Sequence, residues 1–178
     1  MKYTSIVIIL LALIFISYVS ARFIVEEDDF VVITQFGKLV GETHKVPGEY
    51  FKMPFIQKTH YFKKYNYKET DTYIVPTFDK KYLTIDLEML WKIDDPAKFY
   101  KNFNSNNLAK KFIDAEVKKA IIETVVNHNS NDQIFEVEKS YAHTLEYAIN
   151  EKAKDKISEA GLNLFSINAK IVKQSDNP

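Results

Sequence analysis

The chain has 178 residues, 46% hydrophobic and 27% charged, with Lys plus Arg equal in number to Asp plus Glu. That length suits one domain or two small lobes, and a balanced charge leaves no long-range field to gather nucleic acid or an acidic substrate. Cysteine is absent, which removes disulfide frameworks, thiolate nucleophiles and Cys-based zinc sites, and leaves the redox compartment unread.

The first element is apolar. From Tyr3 to Ala21 no side chain is charged, and ~19 residues at 1.5 Å each span roughly 28 Å, close to the ~30 Å of a bilayer core. Ile6, Ile9, Leu10, Leu13, Phe15 and Tyr18 are the expected lipid-facing residues of this membrane anchor. Lys2 precedes the run and Arg22 follows it, so the flanks are nearly matched, with a lean towards a cytoplasmic amino terminus. Val19-Ser20-Ala21 also fits a signal-peptidase site, although a single Lys makes a thin n-region. Either reading exports the rest of the chain. The acidic run Glu26-Glu27-Asp28-Asp29 reads as solvated, since the spacing and glycine of a calcium loop are missing.

Beyond Arg22 a strand-rich half precedes a helix-rich half. Residues 30–36 are β-branched and aromatic, with Gly37 ending the strand. Val46-Pro47-Gly48-Glu49 predicts a type II turn with Gly48 at positive φ. In the apolar stretch that follows, Pro54 argues against a central strand. Its residues Phe51, Met53, Pro54, Phe55 and Ile56 suit either core packing or a loop dipping into a membrane interface. Further strands are expected over 59–62 and 71–75.

Tyr82–Ile93 alternates over twelve residues, with Leu83, Ile85, Leu87, Met89, Trp91 and Ile93 on one face. Asp95 and Pro96 then supply an N-cap and a first helical residue. Helices are expected over 108–126, on Ile113, Val117, Ala120, Ile121 and Thr124, and over 137–160, on Tyr141, Leu145, Ala148, Ile149 and Ile157, with Gly161 as the stop. A last strand places Phe165, Ile167, Ala169 and Ile171 on one face. Strands, then helices, then a strand predict an α+β fold. The expected divisions are an anchor over 1–22 and a domain over 23–178, with a strand-rich lobe 23–78 and an α/β lobe 79–174.

Catalytic and ligand-binding constellations are not found. His44, His60, His128 and His143 form no HxH or HxxxH pair, and no GxSxG, GxGxxG or phosphate loop occurs. Ser158 stands near Lys154 and Lys156, but on the polar side of the last helix. No cofactor and no metal site is expected.

Taken together, Phe36-Gly37-Lys38, the segment from Val46-Pro47-Gly48 through Ile56, and the strand leading into Asp94-Asp95-Pro96-Ala97-Lys98-Phe99-Tyr100 resemble the SPFH/band-7 superfamily of stomatin, prohibitin, flotillin, HflK and HflC. Within it the bacterial HflC proteins are the nearest in pattern. Gly37, Lys38, Pro47, Gly48, Asp95 and Pro96 are the motif positions that carry the likeness.

The resemblance implies a non-enzymatic scaffold in the bacterial inner membrane, single-pass, with its domain on the periplasmic side. It implies oligomeric assembly with an HflK-like paralogue around an FtsH-like AAA protease, whose access to substrates the assembly restrains. A stomatin-like organiser of lipids or channels is the alternative, and a hydrolase lacks a nucleophile with a base. Members of the superfamily continue into a coiled-coil helix where this sequence stops at Pro178, as expected of a short form or of a fragment.

Overall fold

The computed structural model describes residues 2–129 and 142–175. The chain divides into two compact units after Lys64.

The first unit opens with α1 (Lys2–Ala21), a twenty-residue helix. Five strands follow: β1 (Arg22–Val25), β2 (Asp29–Gln35), β3 (Lys38–His44), β4 (Gly48–Phe51) and β5 (Gln57–Lys63). They form an antiparallel pair β1-β4 and a three-stranded antiparallel sheet β3-β2-β5. Phe23 and Val25 of β1 and Val31 and Ile33 of β2 make its core, with Val40 and Tyr50 packed against them. The alternation of β1 is the reason: Arg22 and Ile24 point out while Phe23 and Val25 point in.

Two expectations are corrected here. Phe36 lies in the turn after β2, at φ 50°, and not in the strand. Gly48 has φ 158° and already pairs with Val25 in the β1-β4 ladder. Its backbone is therefore strand-like, and the type II turn, which needs a φ near +80°, does not form.

The second unit is a three-stranded antiparallel sheet, ordered β6-β7-β8, and the described residues between its second and third strands include three helices. Its elements are β6 (Tyr67–Pro76), β7 (Tyr82–Ile93), α2 (Pro96–Asn102), α3 (Asn106–Val125), α4 (Ala142–Glu159) and β8 (Leu162–Ser175). The central strand β7 runs over the expected twelve residues, and its six inward side chains are all buried. Ile113, Val117 and Ile121 of α3 and Leu145, Ile149 and Ile157 of α4 are buried as well. Asp95 accepts from the backbone of Ala97 and Lys98, and Pro96 fills the first helical position of α2. The start of the last helix, expected over 137–141, lies outside the described residues.

The lobe boundary expected at residue 78 falls at Lys64 instead, because β6 pairs with β7 from Tyr67 to Pro76 and so belongs to the second unit's sheet. Phe165 is also corrected: it is exposed, not inward. The β7-β8 register shifts between Leu90 and Trp91, so that Trp91 faces Leu164 and Leu90 faces Ser166. Phe165 is the extra residue of that bulge, and Leu162, Leu164 and Ile167 take the core positions.

Candidate functional site

The described residues include no group of three or more His, Asp or Glu able to hold a metal ion. Lys154 and Ser158 line one small recess of about 130 Å³ with Asp94 and Leu162. Lys156 turns away from it to pair with Glu116 at 3.1 Å. The other candidate is an exposed surface.

That surface is the end of the first unit where α1 meets the strands. Arg22 opens β1 opposite Phe51, the last residue of β4. The chain then needs only residues 52–56 to reach Gln57, which opens β5 opposite Gln35, and Gln35 directly precedes the turn at Phe36. The root of α1, the 52–56 loop and the β2-β3 turn thus share one end of the unit.

Hydrogen bonds hold this end together. The Lys52 N–H donates to the Ala21 carbonyl at 2.8 Å, and the Met53 N–H donates to Gln57 Oε1 at 2.8 Å. The Gln57 N–H donates back to the Met53 carbonyl at 3.1 Å, and its side-chain amide reaches Gln35 at 3.3 Å. With its polar groups turned inward, the loop presents its side chains outward.

Those side chains are apolar. Phe51 and Met53 are each 57% exposed, Phe55 81% and Phe36 84%. Ile56 is exposed as well, and Pro54 is half-buried. Of the two readings for this stretch, core packing is therefore excluded. Phe36 and Phe55 hold left-handed backbone conformations, φ 50° and 65°, which a bulky residue adopts at a cost of ~1 kcal/mol or more. Phe36, Phe51, Met53, Phe55 and Ile56 form an apolar rim, and Tyr18 of α1 meets Phe51 at a ring-centroid distance of 6.0 Å, so the rim continues into the helix.

Along α1, Ile6, Ile9, Leu10, Leu13, Phe15 and Tyr18 are all exposed. Among the described residues no helix is long and apolar enough to cross a membrane. The described side chains of α1 near its end form the unbroken stretch 6–21.

Lysines stand at both ends of the unit, whereas the acidic run lies at one, among Lys45, Lys63 and Lys64. Segments 34–40 and 50–58 hold Lys38, Lys52 and Lys58 and no carboxylate. Glu49, just outside them, pairs with Arg22. At the far end lie Glu26, Glu27, Asp28 and Asp29, where Lys63 pairs with Asp29 at 2.8 Å. His60, behind the rim, shares a hydrogen bond with Thr34 at 3.0 Å. Burial, and then the nearby Lys58, hold its imidazole below its usual pKa, so it adds no charge at neutral pH.

The motif residues do not gather in one place. Gly37 lies in the β2-β3 turn beside the rim and Lys38 opens β3, while Pro47 precedes β4 and Gly48 opens it. Asp95 and Pro96 cap α2 in the second unit. The sequence reading missed Phe36 as a rim residue. The available signal was an aromatic directly before a turn glycine, in a strand whose inward positions were already filled.

The SPFH domain / Band 7 family model matches residues 23–174. Among similar proteins, Protein HflC of Treponema pallidum (strain Nichols) is 24% identical over 187 residues, covering 86% of this chain and 56% of that protein. Protein HflC of Buchnera aphidicola subsp. Baizongia pistaciae is 26% identical over 140 residues, covering 74% of this chain and 43% of its own. Protein HflC of Borreliella burgdorferi is 26% identical over 136 residues, 71% of this chain and 42% of its own. The chain spans about half the length of the curated relatives it matches.

Proposed function

The chain belongs to the SPFH domain / Band 7 family, and from that footing we propose that it is a non-enzymatic membrane scaffold of the HflC type. In this reading α1 is a single-pass anchor. The run Tyr3–Ala21 without a charge supports it, as does a helix of twenty residues, about 30 Å long. Exposed Ile, Leu and Phe along a whole helix are costly in water and favourable in lipid.

The observation that carries the proposal is the continuity of α1 with the rim. The Lys52–Ala21 hydrogen bond fixes the loop to the helix root, and the Tyr18–Phe51 contact joins the two apolar surfaces. A helix crossing the bilayer sets Phe36, Phe51, Met53, Phe55 and Ile56 at its interface, where aromatic and aliphatic groups partition well. The near-matched charges flanking α1 lean the domain to the extracytoplasmic side of a bacterial inner membrane.

Assembly with an HflK-like paralogue, and restraint of an FtsH-like AAA protease in membrane-protein quality control, rest on the resemblance to HflC. The test is the turnover of membrane substrates of that protease in cells lacking the protein. Altered half-lives support the assignment, and unchanged half-lives count against it. The rim suits a stomatin-like organiser of lipids or channels equally well, and the two readings part on whether a protease is affected at all.

A further inference from the structure

We propose that the rim of the first unit is a binding site for the phosphate of anionic glycerophospholipids, with Lys38, Lys52 and Lys58 as its contacts. The inference rests on the reading of α1 and the rim as membrane-facing, and adds to it a lipid class.

The three lysines sit at defined places behind the apolar tips. Lys38 stands opposite Gln35 at the end of the β2-β3 ladder. Lys58 stands opposite Thr34 in the β2-β5 ladder, one residue from the mouth of the loop. Lys52 begins the loop and donates to the Gln57 carbonyl at 3.2 Å, which leaves further N–H donors on its ammonium. Lys38 and Lys58 are exposed and stand in no ion pair among the described residues. Glu49, next to Tyr50 in β4, is paired with Arg22.

When Phe36, Phe55 and Met53 enter the acyl boundary, ammonium groups one to three residues away along the chain reach the depth of lipid phosphates. Long lysine stems allow that reach, with the stem against apolar surface and the charge at the headgroup. A neutral bilayer gives these cations little net attraction, whereas an anionic leaflet draws each of them. The distribution of carboxylates supports the same orientation. Glu26, Glu27, Asp28 and Asp29 lie at the opposite end of the unit, where Lys63 pairs with Glu26 and Asp29, so this acidic run does not oppose the approach of Lys38, Lys52 and Lys58 to an anionic surface.

The absence of cysteine makes the test direct. The full chain carrying Met53→Cys, labelled with a polarity-sensitive dye, is reconstituted into vesicles of phosphatidylcholine alone or mixed with phosphatidylglycerol. Quenching by acyl-chain spin labels then reports immersion of the loop. The expected result is deeper immersion in the anionic vesicles, by on the order of fivefold in the immersed-to-free ratio for each lysine engaged. High salt should remove the difference. Lys38→Gln with Lys52→Gln and Lys58→Gln should abolish it, and arginine at the same positions should restore it.

Equal immersion in the two compositions overturns the headgroup site and leaves the rim reading standing. An anionic preference that survives the triple glutamine variant also overturns it. A dye that stays in water in both vesicles overturns the site and the rim reading together.

Discussion

Tyr18, near the end of α1, meets Phe51 at the end of β4 with ring centroids 6.0 Å apart, and the residue after Phe51 hydrogen-bonds to the last carbonyl of the same helix. Helix and loop therefore form one apolar surface, held by a backbone contact that depends on no particular side chain at position 52.

Phe51→Ser with Phe55→Ser should withdraw the 52–56 loop from lipid without harming the fold. Both rings are exposed, and each buries roughly 1.5–3 kcal/mol of apolar surface on entering the interface. Acyl-chain quenching at a dye on position 53 should fall at least about tenfold, with an unchanged circular dichroism melt. Undiminished quenching would show that these rings do not face lipid.

Trp91 is fully buried in β7 and stacks on Tyr67 at 4.3 Å between centroids. Trp91→Ala should cost about 3–5 kcal/mol, through lost contact and a residual cavity. Urea denaturation followed by circular dichroism measures this, since the sole tryptophan is itself removed.

Gly161 has φ 88°, and a Cβ there would lie 2.7 Å from the Asp95 carbonyl oxygen and 2.7 Å from Lys98 Cβ. Its own carbonyl accepts the N–H groups of Asp94 and Asp95, both at 3.0 Å. Gly161→Ala should therefore destabilise the protein by about 2–4 kcal/mol. Gly37→Ala has an open site at φ 79° and should cost only about 1 kcal/mol. Equal melting temperatures for the two variants would contradict the close approach of α2 to the start of β8.

The carboxyl of Asp114, on α3, is pushed up to about 6 by burial and then by the neighbouring Asp71, against the pull of Lys110. The folded chain takes up this proton near pH 6, and the unfolded chain only near the ordinary 3.8. Stability from this group is therefore greatest below about pH 4 and declines as pH rises to about 6. Asp114→Asn should raise the unfolding free energy at about pH 7.5, by at most about 1 kcal/mol because the carboxyl is partly solvated. The advantage should vanish towards about pH 4, and a constant advantage across that range would remove Asp114 as the titrating group.

Local patterns were legible where they were long or rigidly specified. Twelve residues of strict alternation placed β7 and its core face, and Asp95-Pro96 placed the start of α2, because a cap and a fixed φ act within one turn of chain. What escaped the sequence depends on register between distant segments. The assignment of β6 to the second unit needs its ladder with β7, and the exposure of Phe165 needs a bulge opposite Leu90 and Trp91. Gly48 was read from a local turn preference that its pairing with Val25 overrides. The loop 51–56 was recognisable as apolar, but only the fold brings Phe36 and the root of α1 beside it.

Extraction of the native protein from its own cells in gentle detergent, followed by mass analysis of what travels with it, tests the scaffold reading most directly. The account predicts a large hetero-oligomer containing a second SPFH protein and a membrane AAA protease. Recovery of this chain as a small species, alone or with lipid only, would contradict assembly around a protease and leave a membrane-binding module in its place.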